Sequence, residues 1–506
     1  MSEGRFVSGN RVRLRSDIET RALRAAKGMR SLGVDKGDRI ALLLRNDLAF
    51  FEATFAANAL GVSPVAVNWH LAAPEIAYVL SDCQAKIVVA HTDLLSDIGD
   101  AIPAGVTVLA VETPLELAAA LELDRDACRL RADQTSWETW LAGFDPLQDV
   151  CTEFVDTMIY TSGTTGKPKG VRRFPQAPDV AAEHFKIRDK TYGIKPGIRA
   201  LICGPLYHGA PNSFGMRCAK IADEIILMPR FDPVEFLQLV EQYRITTVFM
   251  VPTMFVRLLK LSPEERDRHD LSSLEYIVTA AAHCPAEVKE AMQQWLGPIV
   301  HEFYAATEVS YVTLCDPRDS QLKPGTVGKP VEGVRLRILD ENGDEVPTGG
   351  QGEVYSKLSC GPEFTYHNRP VDRAALEVDG LIATGDVGFV DEDGYLFLCD
   401  RRRDMVISGG VNIYPAEIEA ALVGMPQLQD SAVFGLPEAE YGEKLVAVIQ
   451  PQPGQTISQE EVISYLRTRV AGFKVPRQIE FQSDLPRDDS GKIYKRKIRE
   501  RFLNGD

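Results

Sequence analysis

Short apolar runs of strand length alternate with helical-period segments over much of the chain, and no other feature limits the fold as strongly. Residues 39–44, 62–67 and 86–90 read as strands, and 47–60 and 74–80 as helices, the first of these ending at Gly61. The alternation resumes downstream. Residues 200–203, 224–228, 246–251, 275–279 and 299–303 read as strands, with 233–243, 253–261 and 285–295 as helices between them. Parallel βα units build such a series. The strand runs are apolar on both faces, so helices should cover both sides of the sheet. An earlier helix is expected from Ser16, with Glu19 at capping-box spacing and Ile18, Ala22, Ala25, Ala26 and Met29 at helical period. Gly33 is its stop. Residues 93–150 are less regular and read as an insertion or connection.

From about Gly325 the pattern changes. Residues 334–339 alternate as an exposed strand would, and turn residues cluster at 340–344 and 391–394, which predicts a small β-rich unit. Residues 400–404, Asp-Arg-Arg-Arg-Asp, form a compact charged connector. A small α+β unit follows, with helices over 416–422 and 459–470 and strands over 431–434 and 445–450. The expected fold class is therefore α/β. A large N-terminal domain over 1–399 holds parallel-sheet α/β subdomains and a small β-rich subdomain, 400–404 is a hinge, and 405–506 is a small α+β C-terminal domain. A net charge of −16 argues against nucleic acid or an anionic membrane as the main partner. Nine cysteines without a C-x-x-C pair point to reduced thiols in a cytoplasmic protein. The N-terminus lacks the apolar stretch of a signal peptide, and no run approaches transmembrane length.

Tyr160-Thr161-Ser162-Gly163-Thr164-Thr165-Gly166-Lys167-Pro168-Lys169-Gly170-Val171 follows a strand-like run. Glycines let backbone approach a ligand, hydroxyls and N–H groups donate hydrogen bonds, and lysines add charge, so such a loop can wrap phosphate. A solvated surface loop is the plain alternative. A Walker A loop is excluded, because no glycine stands five positions before Gly166 and Pro168 follows the lysine.

Five further stretches carry chemistry. Tyr304-Ala305-Ala306-Thr307-Glu308 offers a ring for a base, a hydroxyl for phosphate and a carboxylate for a hard cation; it could equally be an ordinary strand end. Ala383-Thr384-Gly385-Asp386 offers a carboxylate for vicinal hydroxyls, or a turn aspartate. Lys492, after Gly491, could neutralise two anions brought together, or be a solvated lysine like its neighbours Lys495, Arg496, Lys497 and Arg499, which read as a basic tail. Ser408-Gly409-Gly410-Val411-Asn412-Ile413-Tyr414-Pro415 opens a helix. Pro205-Leu206-Tyr207-His208-Gly209 holds a lone histidine, a residue type that is more often structural or exposed.

Together and in this order, these stretches resemble the adenylate-forming superfamily, and within it the AMP-forming acyl-CoA synthetases. The resemblance covers nearly the whole chain. It implies that Thr161, Ser162, Gly163, Thr164, Thr165, Gly166 and Lys167 clasp the ATP phosphates. It places Tyr304 beside adenine, Thr307 at the α-phosphate, Glu308 on Mg²⁺, and Asp386 with Arg401 at the ribose. Ala281 and Ala282 back the adenine and the acyl pocket. His208 gates acid and CoA, Lys492 serves adenylation, Gly409 lines the pantetheine tunnel, and Phe473, Lys474 and Arg477 meet the CoA nucleotide. Arg403 is the hinge residue about which a mobile C-terminal domain rotates.

The substrates implied are ATP, CoA and a small-molecule carboxylic acid, with Mg²⁺ as cofactor; a homodimer is compatible with the resemblance. Two departures stand out. Ala305 replaces the commoner glycine, and Ala280-Ala281-Ala282-His283-Cys284-Pro285 stands where many relatives have Gly-Gly-Ala-Pro. The latter form resembles a bacterial branch of bile-acid-like and fatty acyl-CoA ligases, which ranks fatty or bulky polycyclic acids first. An aryl-acid CoA ligase, a ligase with another acyl acceptor and a non-catalytic nucleotide-binding relative are the alternatives.

Overall fold

The computed structural model describes residues 3–161, 168–402, 404–408, 411–438, 442–487 and 493–504. Four sheets organise it. In the first, Met158–Thr161, Ser63–Ala66, Arg39–Leu43, Ile87–His91 and Thr107–Val111 run parallel, in that spatial order. Lys169–Arg173 then folds back antiparallel on Met158–Thr161, and Phe364–Tyr366 closes that edge. The irregular stretch over 93–150 thus supplies an edge strand, Thr107–Val111, and is more than a connection.

The second sheet has a parallel interior of Val300–Ala306, Tyr276–Thr279, Thr247–Met250, Arg199–Ile202, Glu224–Leu227 and Arg5–Ser8. Antiparallel strands flank it: Ser310–Cys315 and Lys329–Pro330 on one side, Arg11–Leu14 on the other. Both sheets are therefore mixed, with parallel interiors and antiparallel edges.

The helix Leu48–Leu60 is buried around almost its whole circumference. Phe50 and Phe51 share one core with Ile40 and Leu42 of the first sheet and Leu201 and Ile202 of the second. A helix apolar all round must be buried, and its place between the two sheets satisfies that demand. Asp47 caps its start and is buried, with its carboxylate paired to Arg11 and 3.3 Å from His91. Gly61 ends it in the left-handed conformation, at φ 69°. The first helix, Arg15–Ser31, starts one residue before the expected cap. The Leu14 N–H donates to Asp17 at 3.3 Å, and Ser16 already lies inside the helix.

The third sheet is antiparallel: Val334–Leu339, Gly352–Leu358 and Leu381–Val390, with Glu377–Val378 and Leu396–Arg401 both on the last. Asp400 and Arg401, expected in the connector, still pair in this sheet, opposite Val387 and Asp386. The fourth sheet joins Val411–Ile413, Val406–Ser408, Gly442–Pro451, Leu428–Glu438 and Gln478–Phe481. Pro415–Val423, Gln459–Arg467 and Lys495–Asn504 pack on it. The expected basic tail is thus a docked helix, with Ile498 fully buried. The small domain meets the large one at several polar contacts. The Ala416 N–H donates to Asp400 at 2.8 Å, the Tyr414 hydroxyl to Gln351 at 3.2 Å, and Lys260 to the Gln429 carbonyl at 3.3 Å.

Candidate active site

A cleft of about 1710 Å³ lies between the two domains and receives residues from all four sheets. Thr161, Pro168 and Lys169 bring the ends of the Gly/Ser/Thr/Lys loop to its wall. The Thr161 hydroxyl donates to the Lys169 carbonyl at 3.5 Å, and the two residues pair at the ends of antiparallel strands. Lys169 pairs with Asp372 at 2.8 Å and lies 5.1 Å from the Tyr366 ring centre. Ser162, Gly163, Thr164, Thr165, Gly166 and Lys167 lie outside the described residues.

Strand Val300–Ala306 delivers Thr307 and Glu308 to the same wall. The Tyr366 hydroxyl donates to Glu308 Oε1 at 2.8 Å and so orients the carboxylate. Burial, and then Glu308, push the Tyr366 phenol well above its ordinary pKa, which keeps it a donor. The Arg173 guanidinium donates to the Thr307 carbonyl at 2.9 Å. Tyr304, in contrast, is buried with its hydroxyl on the Asp386 carboxylate, and its side chain does not form part of the cleft wall. Arg401 Nε holds the other Asp386 oxygen at 2.7 Å. Ribose hydroxyls reaching Asp386 would exchange with these two partners. Gly385 and Arg401 line the cleft beside it.

His208 immediately precedes the helix Gly209–Ile221. Its turn is rigid: Asn46 donates to the Gly204 carbonyl at 3.0 Å and accepts from the Leu206 N–H at 2.9 Å, and Asn212 donates to the Leu206 carbonyl at 2.8 Å. A Cβ on Gly209 would stand 3.9 Å from Thr307 Oγ1, so the histidine turn and the Thr307–Glu308 segment adjoin. Ala281 and Ala282 also line the cleft. Ala281 has φ +74°, a conformation that favours glycine, which is the residue the resembling enzymes commonly carry in this segment.

Lys492, Gly409 and Arg403 lie outside the described residues. Arg487 and Ile493, which flank Lys492, pair as an isolated bridge, and both line the cleft. Phe473, Lys474 and Arg477 do not line it. Phe473 is exposed, and Lys474 pairs with Glu417 at 2.6 Å. The Arg477 N–H donates to the Leu445 carbonyl at 3.1 Å.

Two groups of residues were not foreseen from the sequence. Lys495, expected to be solvated, faces the cleft and pairs with Glu419 at 2.8 Å. Burial opposes its charge, but Glu419 and Asp400 outweigh that effect and hold the ammonium above its ordinary pKa. The second group is a polar patch on the helix Pro178–Tyr192. His184, Arg188 and Thr191 are buried there at helical spacing, and His184 lines the cleft. Burial, then the neighbouring Arg188 charge, push the His184 pKa down to about 3. The folded state thus holds His184 neutral, while the unfolded chain takes up a proton below about pH 6.5. Stability contributed by the neutral imidazole is complete above that pH and is lost as pH falls toward 3. Chemical denaturation at pH 7 and pH 5 should therefore show His184→Met losing about 2 kcal/mol less than the wild type on acidification. Equal losses would rule out a neutral His184.

As a donor set for Mg²⁺, the cleft offers one oriented carboxylate, Glu308, and no group of three or more His, Cys, Asp or Glu among the described residues. That fits a cation which keeps most of its waters and is completed by substrate phosphates.

A two-domain α/β architecture whose interdomain cleft collects the two ends of a Gly/Ser/Thr/Lys loop, an oriented glutamate and an aspartate–arginine pair defines an adenylate-forming enzyme. Residues 15–360 match the AMP-binding enzyme family and residues 417–492 the AMP-binding enzyme C-terminal domain, and the chain belongs to this family. It is an AMP-forming acid–thiol ligase of the acyl-CoA synthetase type, a class that uses ATP, CoA and Mg²⁺. It is 35% identical over 498 residues to a feruloyl-CoA synthase of Amycolatopsis sp, covering 96% of this chain and 93% of that one. It is 30% identical over 518 residues to a long-chain-fatty-acid–CoA ligase of Bacillus subtilis (strain 168), covering 96% and 89%. The anthranilate CoA ligase AuaEII in complex with anthranoyl-AMP superposes with a TM-score of 0.83 at 25% identity, covering 98% of this chain and 93% of that one. Among the described residues no helix is long and apolar enough to cross a membrane.

Proposed function

We propose that the enzyme activates a ring-bearing, aryl-type carboxylic acid and transfers it to CoA. The acid's carboxylate attacks the α-phosphorus of ATP, forming acyl-AMP and releasing pyrophosphate. The CoA thiol then attacks the acyl carbon, forming the thioester and releasing AMP. Residues 161–167 hold the β- and γ-phosphates, Thr307 the α-phosphate, and Asp386 with Arg401 the ribose. Ala281 and Ala282 bound the adenine pocket, and Tyr304, buried behind the cleft wall, holds Asp386 beside it. Glu308 would hold Mg²⁺, which when bound would offset charge on the phosphates. Lys492 stabilises charge in the first step, and His208 orients the acid and gates CoA. Rotation of residues 405–506 about the 400–404 hinge at Arg403 then brings Gly409 to the pantetheine and Phe473, Lys474 and Arg477 to the CoA nucleotide. The nine free thiols support a reducing, cytoplasmic setting.

One observation carries the choice of acid. Beside His208 the cleft wall is built of packed rings: Tyr192, Phe303 and Tyr311, with centroids 5.1, 5.8 and 6.0 Å apart pairwise. Aromatic pairs gain stability beyond the area they bury, so a ring-lined wall favours a ring-bearing acid over an open chain. The identity with a feruloyl-CoA synthase supports the same choice over the fatty or polycyclic acids that the sequence motifs ranked first. A panel of cinnamic, benzoic, phenylacetic and C8–C16 fatty acids, read by ATP–pyrophosphate exchange and CoA-dependent AMP release, tests it. Ring acids should give the highest kcat/KM; a fatty acid ranking first would refute the assignment.

A further inference from the structure

We infer that His184, Ser213 and Tyr311 form a hydrogen-bonding end wall that selects acids carrying a hydroxyl on the ring, remote from the carboxyl group. This rests on the aryl-acid reading and adds a polar requirement to it.

The buried stripe of the helix Pro178–Tyr192 is unusual in its chemistry. Where a helix facing a core carries apolar residues, this one carries His184, Arg188 and Thr191, each 3% exposed or less. His184 Nε2 and Thr191 Oγ1 have no hydrogen-bond partner among the described residues. A buried polar atom is costly unless bonded, and of the two only His184 belongs to the cleft wall, where a ligand can bring the partner. His184 lines the cleft, with its ring centre 5.9 Å from that of Tyr311. The Tyr311 hydroxyl lies 3.1 Å from Ser213 Oγ, and both residues also line the cleft. Either hydroxyl can donate, so together with a neutral imidazole they can accept from and donate to one hydroxyl.

The helix Gly209–Ile221 sets the distance. Gly209 lies beside Thr307, where the carboxyl must meet the nucleotide. Ser213 is one helical turn deeper, ~6 Å along the axis. A ring bridging the two places a substituent of its far edge at the wall. Charge sets the kind of substituent. Near His184, Asp156 is shared by Arg173 at 3.2 Å and Arg188 at 3.7 Å, two cations on one anion. That excess repels an ammonium and suits oxygen. Arg173 also holds the Thr307 carbonyl, so one network braces both ends of the acid site.

The test compares 4-hydroxycinnamate, its 4-methyl isostere and decanoate as substrates of the full-length enzyme, with ATP and CoA saturating. The wild type should prefer the hydroxyl acid to the methyl acid in kcat/KM by on the order of 10²-fold or more. In His184→Leu this ratio should fall below about 10, and His184→Gln, which keeps hydrogen-bonding capacity, should restore part of it. Tyr311→Phe removes a single oxygen and should also lower the ratio, which keeps the test decisive if His184→Leu fails to fold. Equal use of the two ring acids by the wild type, or a ratio unchanged in both variants, overturns the end wall while leaving the aryl reading standing. Decanoate exceeding both ring acids overturns the two together.

Discussion

Glu308→Gln should lower acyl-AMP formation by about 10²–10³-fold while leaving the fold intact. The substitution is nearly isosteric. Its amide oxygen can still accept from the Tyr366 hydroxyl, which stands 2.8 Å from Glu308 Oε1, so the side chain keeps its place. Only the charge is lost. A hard cation that takes one or two protein carboxylates depends on each of them, and no further acidic cluster among the described residues replaces this one. A partly exposed position that keeps its bond from the buried Tyr366 should shift stability by no more than about 0.5 kcal/mol. The two half-reactions separate the explanations. ATP–pyrophosphate exchange should collapse, whereas thioester formation from supplied acyl-AMP and CoA should persist, since pyrophosphate has already gone. A comparable fall in both would mean that Glu308 acts through general disruption of the cleft, and unchanged exchange would remove it from the metal site.

What was legible in the sequence follows from how local each signal is. The parallel strands could be read because burial on both faces demands continuous apolar runs, as in Ile87–His91. The helix Leu48–Leu60 could be read because Asp47 and Gly61 mark its ends. The strands Arg5–Ser8 and Arg11–Leu14 are four residues each and interrupted by arginines, too short for a period to register. The helices Pro178–Tyr192 and Gly209–Ile221 escaped for another reason. The first buries His184, Arg188 and Thr191 where apolar residues define a stripe, so the substrate wall itself erased the helical signal. The second starts with Gly-Ala-Pro and carries Gly215 inside, a composition that reads as loop.

The site divides the same way. The motifs around Thr161, Glu308 and Asp386 are contiguous and could be recognised as strings. The contacts that aim them are not contiguous: Tyr304 meets Asp386 from 82 residues away, and Lys495 meets Glu419 from 76. No spacing rule reaches so far, which is why Lys495 read as a solvated tail.

The largest expected effect on stability comes from a pair that also lies behind the site. Lys289 and Glu302 are 3% and 5% exposed and 2.5 Å apart, and Lys289 donates further to the Thr326 carbonyl at 3.2 Å. Burial alone would lower the Lys289 pKa, but Glu302 outweighs it and raises it, so the ammonium keeps its charge at neutral pH. Lys289 belongs to the helix Ala286–Leu296, which follows Ala281 and Ala282, and Glu302 lies in the strand that delivers Thr307 and Glu308. The pair therefore ties together two neighbouring segments that both line the cleft. Lys289→Met leaves a buried carboxylate uncompensated and should cost about 3–5 kcal/mol, a large share of a stability of about 5–15 kcal/mol. Replacing both partners, Lys289→Met with Glu302→Leu, removes the stranded charge and should recover most of the loss, because two apolar groups of similar volume pack where the ion pair stood. Urea midpoints measured for the wild type, the single variant and the double variant give the comparison. Pyrophosphate exchange should follow the same order, low in the single variant and largely restored in the double. A single variant within 1 kcal/mol of the wild type would show that Glu302 finds another partner or a proton at little cost. A double variant that regains stability but not exchange would assign the ion pair a direct part in shaping the nucleotide pocket, beyond holding the two segments together.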